Sequence, residues 1–490
     1  MSLAARLSSR FKTEFAGRVV ATVSSAIMMV MLARLLKPDE YGVLFLAMSV
    51  FSVAQIFSKL GLAKSAARYV ADYRVTDPSQ IPYIIERSFL YNGVSIVIVS
   101  ITFLLGSDVI ASAVGEPELA PLLAFGFAFI AVATLTTYFR MIAQGLEDIG
   151  LAATIHAVDR SGRLLFALAL VGLGYGALGA LGGFITGSCL AALVGGYTVY
   201  KNQYSNMPKA SAIDSEIPRR ILEYNVPLTV TSMSGKIDKE IDTILVGFFL
   251  NPLAVSFYVL SKQIVEFLQV PATALGFSIS PTYSKQKNTG GLDTAATMYE
   301  ESLKHVLLLY VPAAVGIIFV ASPTIELVFG AEYSGAVPVL QILSVYVVLQ
   351  AITKLTDNPL DYLGRARERA IAKITASLLN VGLNVLLIPV IGVVGAAIAT
   401  AITHTFYVLV KVYIVYKELP LNVERLLSDL SKVGVVTGGM TISIWLFSPY
   451  ITGVVSLVAV VLLSVSIWIV LLFSLGAIDA TLIRNAISSN

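Results

Sequence analysis

Residues 453–475 read GVVSLVAVVLLSVSIWIVLLFSL, without one charged side chain. A helix of that length rises far enough to cross the roughly 30 Å hydrocarbon core of a bilayer. Comparable stretches recur near 16–36, 41–62, 83–105, 119–145, 152–173, 176–200, 224–250, 253–281, 304–322, 336–357, 369–391, 393–416 and 432–448. Lipid offers no partner for a backbone amide, so such stretches fold as helices. The pattern predicts an all-α polytopic membrane protein with about fourteen transmembrane helices. Charged residues make up 13% of the chain, against about 25% in an ordinary soluble domain.

The basic residues alternate between loops. One set holds Lys64, Arg68 and Arg74, then Lys201, Lys209, Arg219 and Arg220, then Lys285 and Lys287. It continues with Arg365, Arg367 and Arg369, and with Lys417 and Arg425. The other set has only Arg34 and Lys37 beside Asp39, Glu40, Asp108, Glu116, Glu118, Glu326 and Glu332. The positive-inside rule then places both termini in the cytoplasm of a multi-pass protein of the cell membrane, which requires an even number of spans. Arg6, Arg10 and Lys12 precede the first apolar segment as in a signal peptide. That segment carries Arg18 and no clear small-x-small cleavage site, so it reads as an uncleaved first span.

Several function classes are disfavoured. The basic residues are dispersed over short loops, which argues against nucleic acid. The single cysteine, Cys189, and the isolated histidines His156, His305 and His404 predict neither a metal site nor a cofactor. The longest extramembrane segment, 201–223, reads as a cytoplasmic linker and is too short for a catalytic domain. A membrane-embedded glycosyltransferase or polymerase would need catalytic carboxylates or a metal on a sizeable loop. The sequence therefore predicts a protein that is not an enzyme.

The chain repeats itself. GALGALGGFIT at 176–186 matches GVVGAAIATAI at 392–402, an offset of 216 that also carries VYK at 199–201 onto 415–417 and YGVL at 41–44 onto FYVL at 257–260. Six spans per copy give both copies the same orientation, a parallel repeat. The expected organisation is a six-helix lobe over 1–200, the linker 201–223, a second six-helix lobe over 224–417, and two additional helices over 418–490. Transporters built from such repeats bind substrate at the repeat interface.

Charges inside the spans mark the expected site. The segment SGKIDKEIDTILVGFFL at 234–250 places Lys236, Lys239 and Glu240 on one helical face, with Asp238 and Asp242 opposite. Ionisable residues at membrane depth are functional candidates by default. Arg18, Lys236, Lys239, Lys262 and Lys354 lie deep and predict an anionic substrate such as a phosphate or pyrophosphate headgroup. Asp238, Glu240, Asp242, Glu266 and Asp357 are candidates for coupling to sodium or protons. Arg87, Arg140, Arg160, Arg163 and Lys285 either line the same cavity or snorkel to the cytoplasmic interface.

The junction ARLLKPDEYGVL resembles the R-x-L-x-P-x-x-Y-G signature of the polysaccharide transporter (Wzx-like) flippases. These belong to the multidrug/oligosaccharidyl-lipid/polysaccharide exporter superfamily. DTILVGFFLNPLAVSFYVLSK and LLIPVIGVVGAAIATAI resemble other segments of that family, and the likeness runs from Arg18 to about Lys417. It implies a flippase, working as a single-chain unit by alternating access. The substrate would be an oligosaccharide on a polyprenyl phosphate or pyrophosphate, carried from the inner to the outer leaflet for surface polysaccharide or glycoprotein synthesis. The partners implied are that lipid-linked oligosaccharide, the membrane lipids and a coupling cation. Lipid II flippases of the same superfamily carry span 1 arginines in a cationic cavity. Arg18 matches one of them and no second deep arginine follows, which argues against that substrate. The alternative is a cation-coupled multidrug antiporter of the same superfamily. Such a protein needs an acidic, aromatic-lined cavity.

Overall fold

The computed structural model describes residues 3–208, 210–269 and 291–476, except for the side chains of residues 3–16, 18, 206, 226–228, 230–232 and 234. Sixteen α-helices and no strand occur among the described residues. Ten helical stretches there are long and apolar enough to cross a membrane. The other four expected spans are the ones that carry charge or run short, and each belongs to a helix named below.

The chain divides into two compact units, residues 1–256 and 257–490. The first contains α1 (Leu3–Leu35), α2 (Pro38–Lys59), α3 (Leu62–Thr76), α4 (Ile81–Val114) and the short α5 (Leu119–Ala124). It continues with α6 (Gly126–Gly145), α7 (Ile149–Gly172), α8 (Gly176–Thr198) and α9 (Ile217–Phe249). Pro38 stands in the first turn of α2, where its missing amide hydrogen costs nothing, and Asp39 and Glu40 face the positive end of the helix dipole. α7 pairs with α8, α1 lies on α7, and α9 runs against α2, α3 and α4. The apolar core of this unit gathers Leu62, Val70, Ile84, Tyr138, Ile142, Ile155 and Ile221 from α3, α4, α6, α7 and α9.

α3 is a helix that the hydropathy pattern did not separate from span 2. Its Leu62, Ala66 and Val70 are buried, while Arg68, Asp72 and Arg74 face outward. The segment before α9 and the start of α9 are pinned to the α3–α4 corner. Tyr73 donates to Asp214 at 2.7 Å, Gln80 to the carbonyl of Ala212 at 2.8 Å, and Ser65 to the carbonyl of Ile221 at 3.1 Å. Residues 212, 214 and 221 of the expected linker are thus held along the first unit.

The second unit holds the remainder of α10 (Pro252–Leu268), then α11 (Leu292–Thr324), α12 (Ala336–Tyr362), α13 (Ala366–Ile391), α14 (Val393–Glu418), α15 (Val423–Phe447) and α16 (Val454–Ser474). α12 and α13 both pack on α14. The last two helices are fastened to α11. Lys304 pairs with Asp429 at 3.7 Å, Arg425 pairs with Glu300 at 3.6 Å, and the Trp468 indole donates to the carbonyl of Leu308 at 3.0 Å. Only 17% of the apolar stretch of α16 is buried by protein, so its outer face is left for lipid.

Helix boundaries repeat at 217 residues, one more than the sequence offset. α7 and α8 begin at 149 and 176, and α13 and α14 begin at 366 and 393. Both hairpins turn on a glycine at positive φ, Gly176 at 53° and Gly392 at 67°, a conformation that a side chain resists. The four spans outside the ten are α1, α7, α9 and α10. α7 carries Asp159, Arg160 and Arg163, and α9 carries the charged run from Lys236 to Asp242. α10 is 17 residues long in its described part.

Candidate functional site

The first unit holds a cavity of about 360 Å³ walled by three helices and touched by a fourth. α2 presents Met48, Ser52, Gln55 and Lys59, α6 presents Phe129, Ala133, Thr136, Thr137 and Arg140, and α7 presents His156, Asp159, Arg160 and Arg163. Within each helix these positions repeat every three or four residues. At 100° per residue each set spans an arc of about 100° or less. Each helix therefore turns one polar stripe toward the cavity and leaves its other faces to apolar packing.

Lys236 reaches this cavity from α9. Its ammonium donates to Ser52 Oγ at 2.9 Å, and one turn further Glu240 accepts from Ser49 Oγ at 3.0 Å. Two α9 charges four residues apart thus meet two α2 serines three residues apart. The seam sets the register of α9 on α2 and delivers Lys236 to a wall otherwise made by the preceding helices.

Five cations, Lys59, Arg140, Arg160, Arg163 and Lys236, line the space with one carboxylate, Asp159. Lys59 is within electrostatic reach of Lys236, Arg163, Arg140 and Asp159. Its ammonium donates to Gln55 Oε1 at 2.7 Å. Asp159 is buried, with 6% of its surface exposed. It accepts from Arg163 Nε at 2.9 Å and from Ser188 Oγ at 2.8 Å, while Arg160 Nε stands 3.9 Å from its second oxygen. The Arg163 guanidinium also lies 5.4 Å from the ring centre of Phe129. A low-dielectric pocket with this charge excess attracts anions and repels cations.

The tight α7–α8 pairing makes the triad possible. A Cβ on Gly187 would stand 2.2 Å from the backbone nitrogen of Arg163, so only glycine lets α8 approach closely enough for Ser188 to reach Asp159. At its start α7 is capped by Asp148, whose side chain accepts from the amide of Leu151 at 3.0 Å.

The structure brings together only part of the set expected from sequence. Lys236 lines the cavity; Lys239, three residues on, is exposed and does not. The Arg18 side chain lies outside the described residues. Lys262 and Lys354 belong to the second unit, where Lys262 stands 5.8 Å from the ring centre of Tyr258. Of the acidic candidates, Asp238 and Glu266 are half-buried, Asp242 is buried, and Glu240 is engaged by Ser49. Asp357 is held in an ion cluster: Lys411, with 0% of its side chain exposed, donates to it at 2.7 Å, and Arg369 lies 3.4 Å away. Lys411 also donates to the carbonyl of Thr353 at 2.7 Å, and Arg369 pairs with Asp361 at 2.9 Å.

Sequence reasoning does not single out Lys59 or Lys411 and sets His156 aside as an isolated histidine, yet a signal for each exists. Ser52, Gln55 and Lys59 follow helical spacing on one face, as do His156, Arg160 and Arg163, and Thr400, His404, Tyr407 and Lys411.

Comparison with known proteins follows the same line. The family model described as polysaccharide biosynthesis protein matches residues 15–287, and the one described as lipid II flippase MurJ matches residues 162–470. The probable low-salt glycan biosynthesis flippase Agl15 of Haloferax volcanii is 28% identical over 185 residues. The match covers 38% of this chain and 39% of that protein, so the chain spans under half the length of this relative. The lipopolysaccharide biosynthesis protein WzxC of Escherichia coli (strain K12) is 25% identical over 418 residues, covering 83% of this chain and 78% of WzxC. A solved structure, the lipid II flippase MurJ in its inward closed conformation, has a TM-score of 0.73 at 18% identity. It covers 94% of this chain and 97% of the other, a likeness of fold.

Proposed function

The chain belongs to the polysaccharide biosynthesis protein family, and we propose that it is a flippase for a lipid-linked oligosaccharide. The substrate is an oligosaccharide on a polyprenyl phosphate or pyrophosphate, moved from the inner to the outer leaflet of the cell membrane by alternating access. The observation that carries this reading is the cavity of α2, α6, α7 and α9, where five cations surround one carboxylate. The phosphate-bearing headgroup occupies it, and the lipid tail stays in the bilayer. A cavity of this sign is the wrong one for an organic cation, which disfavours the multidrug antiporter.

In this reading the protein spans the membrane fourteen times, with both termini in the cytoplasm and the single chain as transport unit. Six spans belong to each repeat and two are added. Sodium or protons drive the cycle, with Asp238, Glu240, Asp242 and Glu266 as the coupling candidates. Asp357 is a weaker one, because Lys411 and Arg369 already neutralise it. Lys236 carries over from the sequence set as a headgroup ligand, joined by Lys59, Arg140, Arg160 and Arg163. Arg18, Lys239, Lys262 and Lys354 are proposed to act on the substrate's path outside this cavity. The protein transports and performs no chemistry on the sugar.

The test replaces Arg160 and Arg163 together with alanine in a strain whose surface glycan depends on this protein. Membrane abundance is followed by immunoblot. Loss of surface glycan at normal abundance is the expected result. Normal glycan at normal abundance removes the cavity from the mechanism.

A further inference from the structure

Arg163 is held in an unusual way for a residue in a cationic pocket. Its side chain is 12% exposed, and both of its hydrogen bonds leave from Nε, to Asp159 Oδ1 at 2.9 Å and to Ser188 Oγ at 2.9 Å. Ser188 in turn donates to Asp159 at 2.8 Å, which closes a three-membered ring of contacts. Neither terminal nitrogen of the guanidinium has a hydrogen-bond partner among the described residues. The guanidinium is therefore fixed through Nε, which leaves its two terminal nitrogens for a ligand of the cavity that Arg163 lines. Arg160 meets Asp159 only at 3.9 Å, and Lys59 spends one of its three donors on Gln55. All three cations line the same cavity.

We infer that Asp159 is a resident counter-anion of this cationic site: it fixes Arg163 and limits the affinity with which Arg163, Arg160 and Lys59 hold the phosphoryl group that the proposed function places there. The inference rests on the reading of the cavity as the substrate site. A guanidinium whose end is open takes two oxygens of a tetrahedral oxyanion in parallel, and a lysine adds a point charge without demanding geometry. Five cations with no internal anion would hold such a group too long, because affinity differences appear mainly in the rate of release. Asp159 opposes the entering charge at short range in a poorly screened space. A flippase must let its cargo go on the far side of the membrane, and a buried carboxylate beside the binding arginines does that without lending a hydrogen to the substrate.

The full-length protein in detergent is titrated with inorganic pyrophosphate by calorimetry, and each variant is also scored for surface glycan in the dependent strain. Arg163→Lys keeps the charge and loses the fork; its affinity is expected to fall about tenfold, 1.4 kcal/mol at 25 °C. Asp159→Asn keeps the shape and removes the opposing charge; its affinity is expected to rise about tenfold while glycan export falls. A purely structural Asp159 predicts the reverse, weaker binding. Asp159→Asn that melts at the wild-type temperature and binds pyrophosphate no more tightly overturns the inference. If that variant does not fold, Arg163→Lys decides: unchanged affinity overturns the subsite. Geranyl pyrophosphate, titrated in parallel, is expected to bind at least as tightly as the bare ion; its rejection overturns a lipid-borne headgroup as the occupant. Glycan lost in Arg163→Lys with pyrophosphate affinity unchanged sinks the subsite and leaves the flippase reading standing. Affinity lost with normal glycan means that export does not use this binding; it overturns the inference and leaves the flippase reading standing.

Discussion

Gly187→Ala is the smallest change that tests whether helix packing builds the cavity wall. The new Cβ would stand 2.2 Å from the backbone nitrogen of Arg163 and 2.6 Å from the carbonyl carbon of Gly162. Both are main-chain atoms of α7 and cannot swing aside, so α7 and α8 must separate by about 1 Å to reach ordinary contact. Overpacking of this kind costs about 1–3 kcal/mol. The same shift stretches the 2.8 Å bond from Ser188 to Asp159 beyond hydrogen-bonding range. Losing a hydrogen bond to an ionised group costs about 1.5–3 kcal/mol more. Replacing a mid-helix glycine by alanine returns about 1 kcal/mol. The net expectation is a loss of about 1.5–5 kcal/mol. Gly93→Ala in α4 is the control, since nothing lies within 4 Å of its added Cβ. Thermal melts in detergent should show Gly187→Ala about 2–6 °C below the control. Surface glycan should fall at equal abundance as Arg163 loses its seat. Equal melting of the two variants would refute the reasoning, because the close approach would then carry no energy.

Three further outcomes follow from other parts of the molecule. Lys411→Met removes the buried partner of Asp357, whose side chain is 38% exposed and keeps Arg369 at 3.4 Å, and should cost about 1–3 kcal/mol in the same melts; an unchanged melt removes the ion cluster as a stabilising element. The Tyr73 hydroxyl, followed by a backbone amide, holds the Asp214 carboxyl below its ordinary value of 3.8. A depressed carboxylate stabilises above its unfolded value and loses that contribution as pH falls through its folded value. Hydrogen-exchange protection of residues 204–216 should therefore persist from neutral pH down to 3.8, fall below it, and be weak at neutral pH in Asp214→Asn. Finally, in a Cys189→Ala background, single cysteines at Glu332 and Arg367 should react with a membrane-impermeant maleimide from opposite faces, Glu332 from outside; labelling from one face alone contradicts the positive-inside orientation.

Much of the cavity was visible in sequence as residues, and little of it as a site. Thr137 with Arg140, and Asp159 with Arg160 and Arg163, stand out as polar side chains at helical spacing in apolar helices. Snorkelling to the cytoplasmic interface explains the same residues equally well, and depth along a span does not distinguish the two. What distinguishes them is that α2, α6 and α7 turn these stripes toward one another. Lys59 closes α2, where a terminal lysine reads as an ordinary interfacial anchor, and the structure shows it inside the pocket. The run at 234–250 was legible as a paradox of charge in an apolar helix. Its resolution needed the serines of α2, because Ser52 and Ser49 decide that Lys236 turns inward with Glu240 beside it.

By itself the sequence determined the class and pointed to the sign. Apolar stretches of bilayer length leave helices as the available fold, and the cations at membrane depth call for an anion, because both follow from the cost of polar groups in hydrocarbon. The repeat was also legible, since a shared offset survives in any list of residues. Only tertiary structure decided which cations meet, that Asp159 sits among them, and that Asp357 is neutralised by Lys411 and Arg369. Helical periodicity says which residues share a face. Which faces turn toward each other depends on contacts such as Gly187 against Arg163, made between residues far apart in the chain.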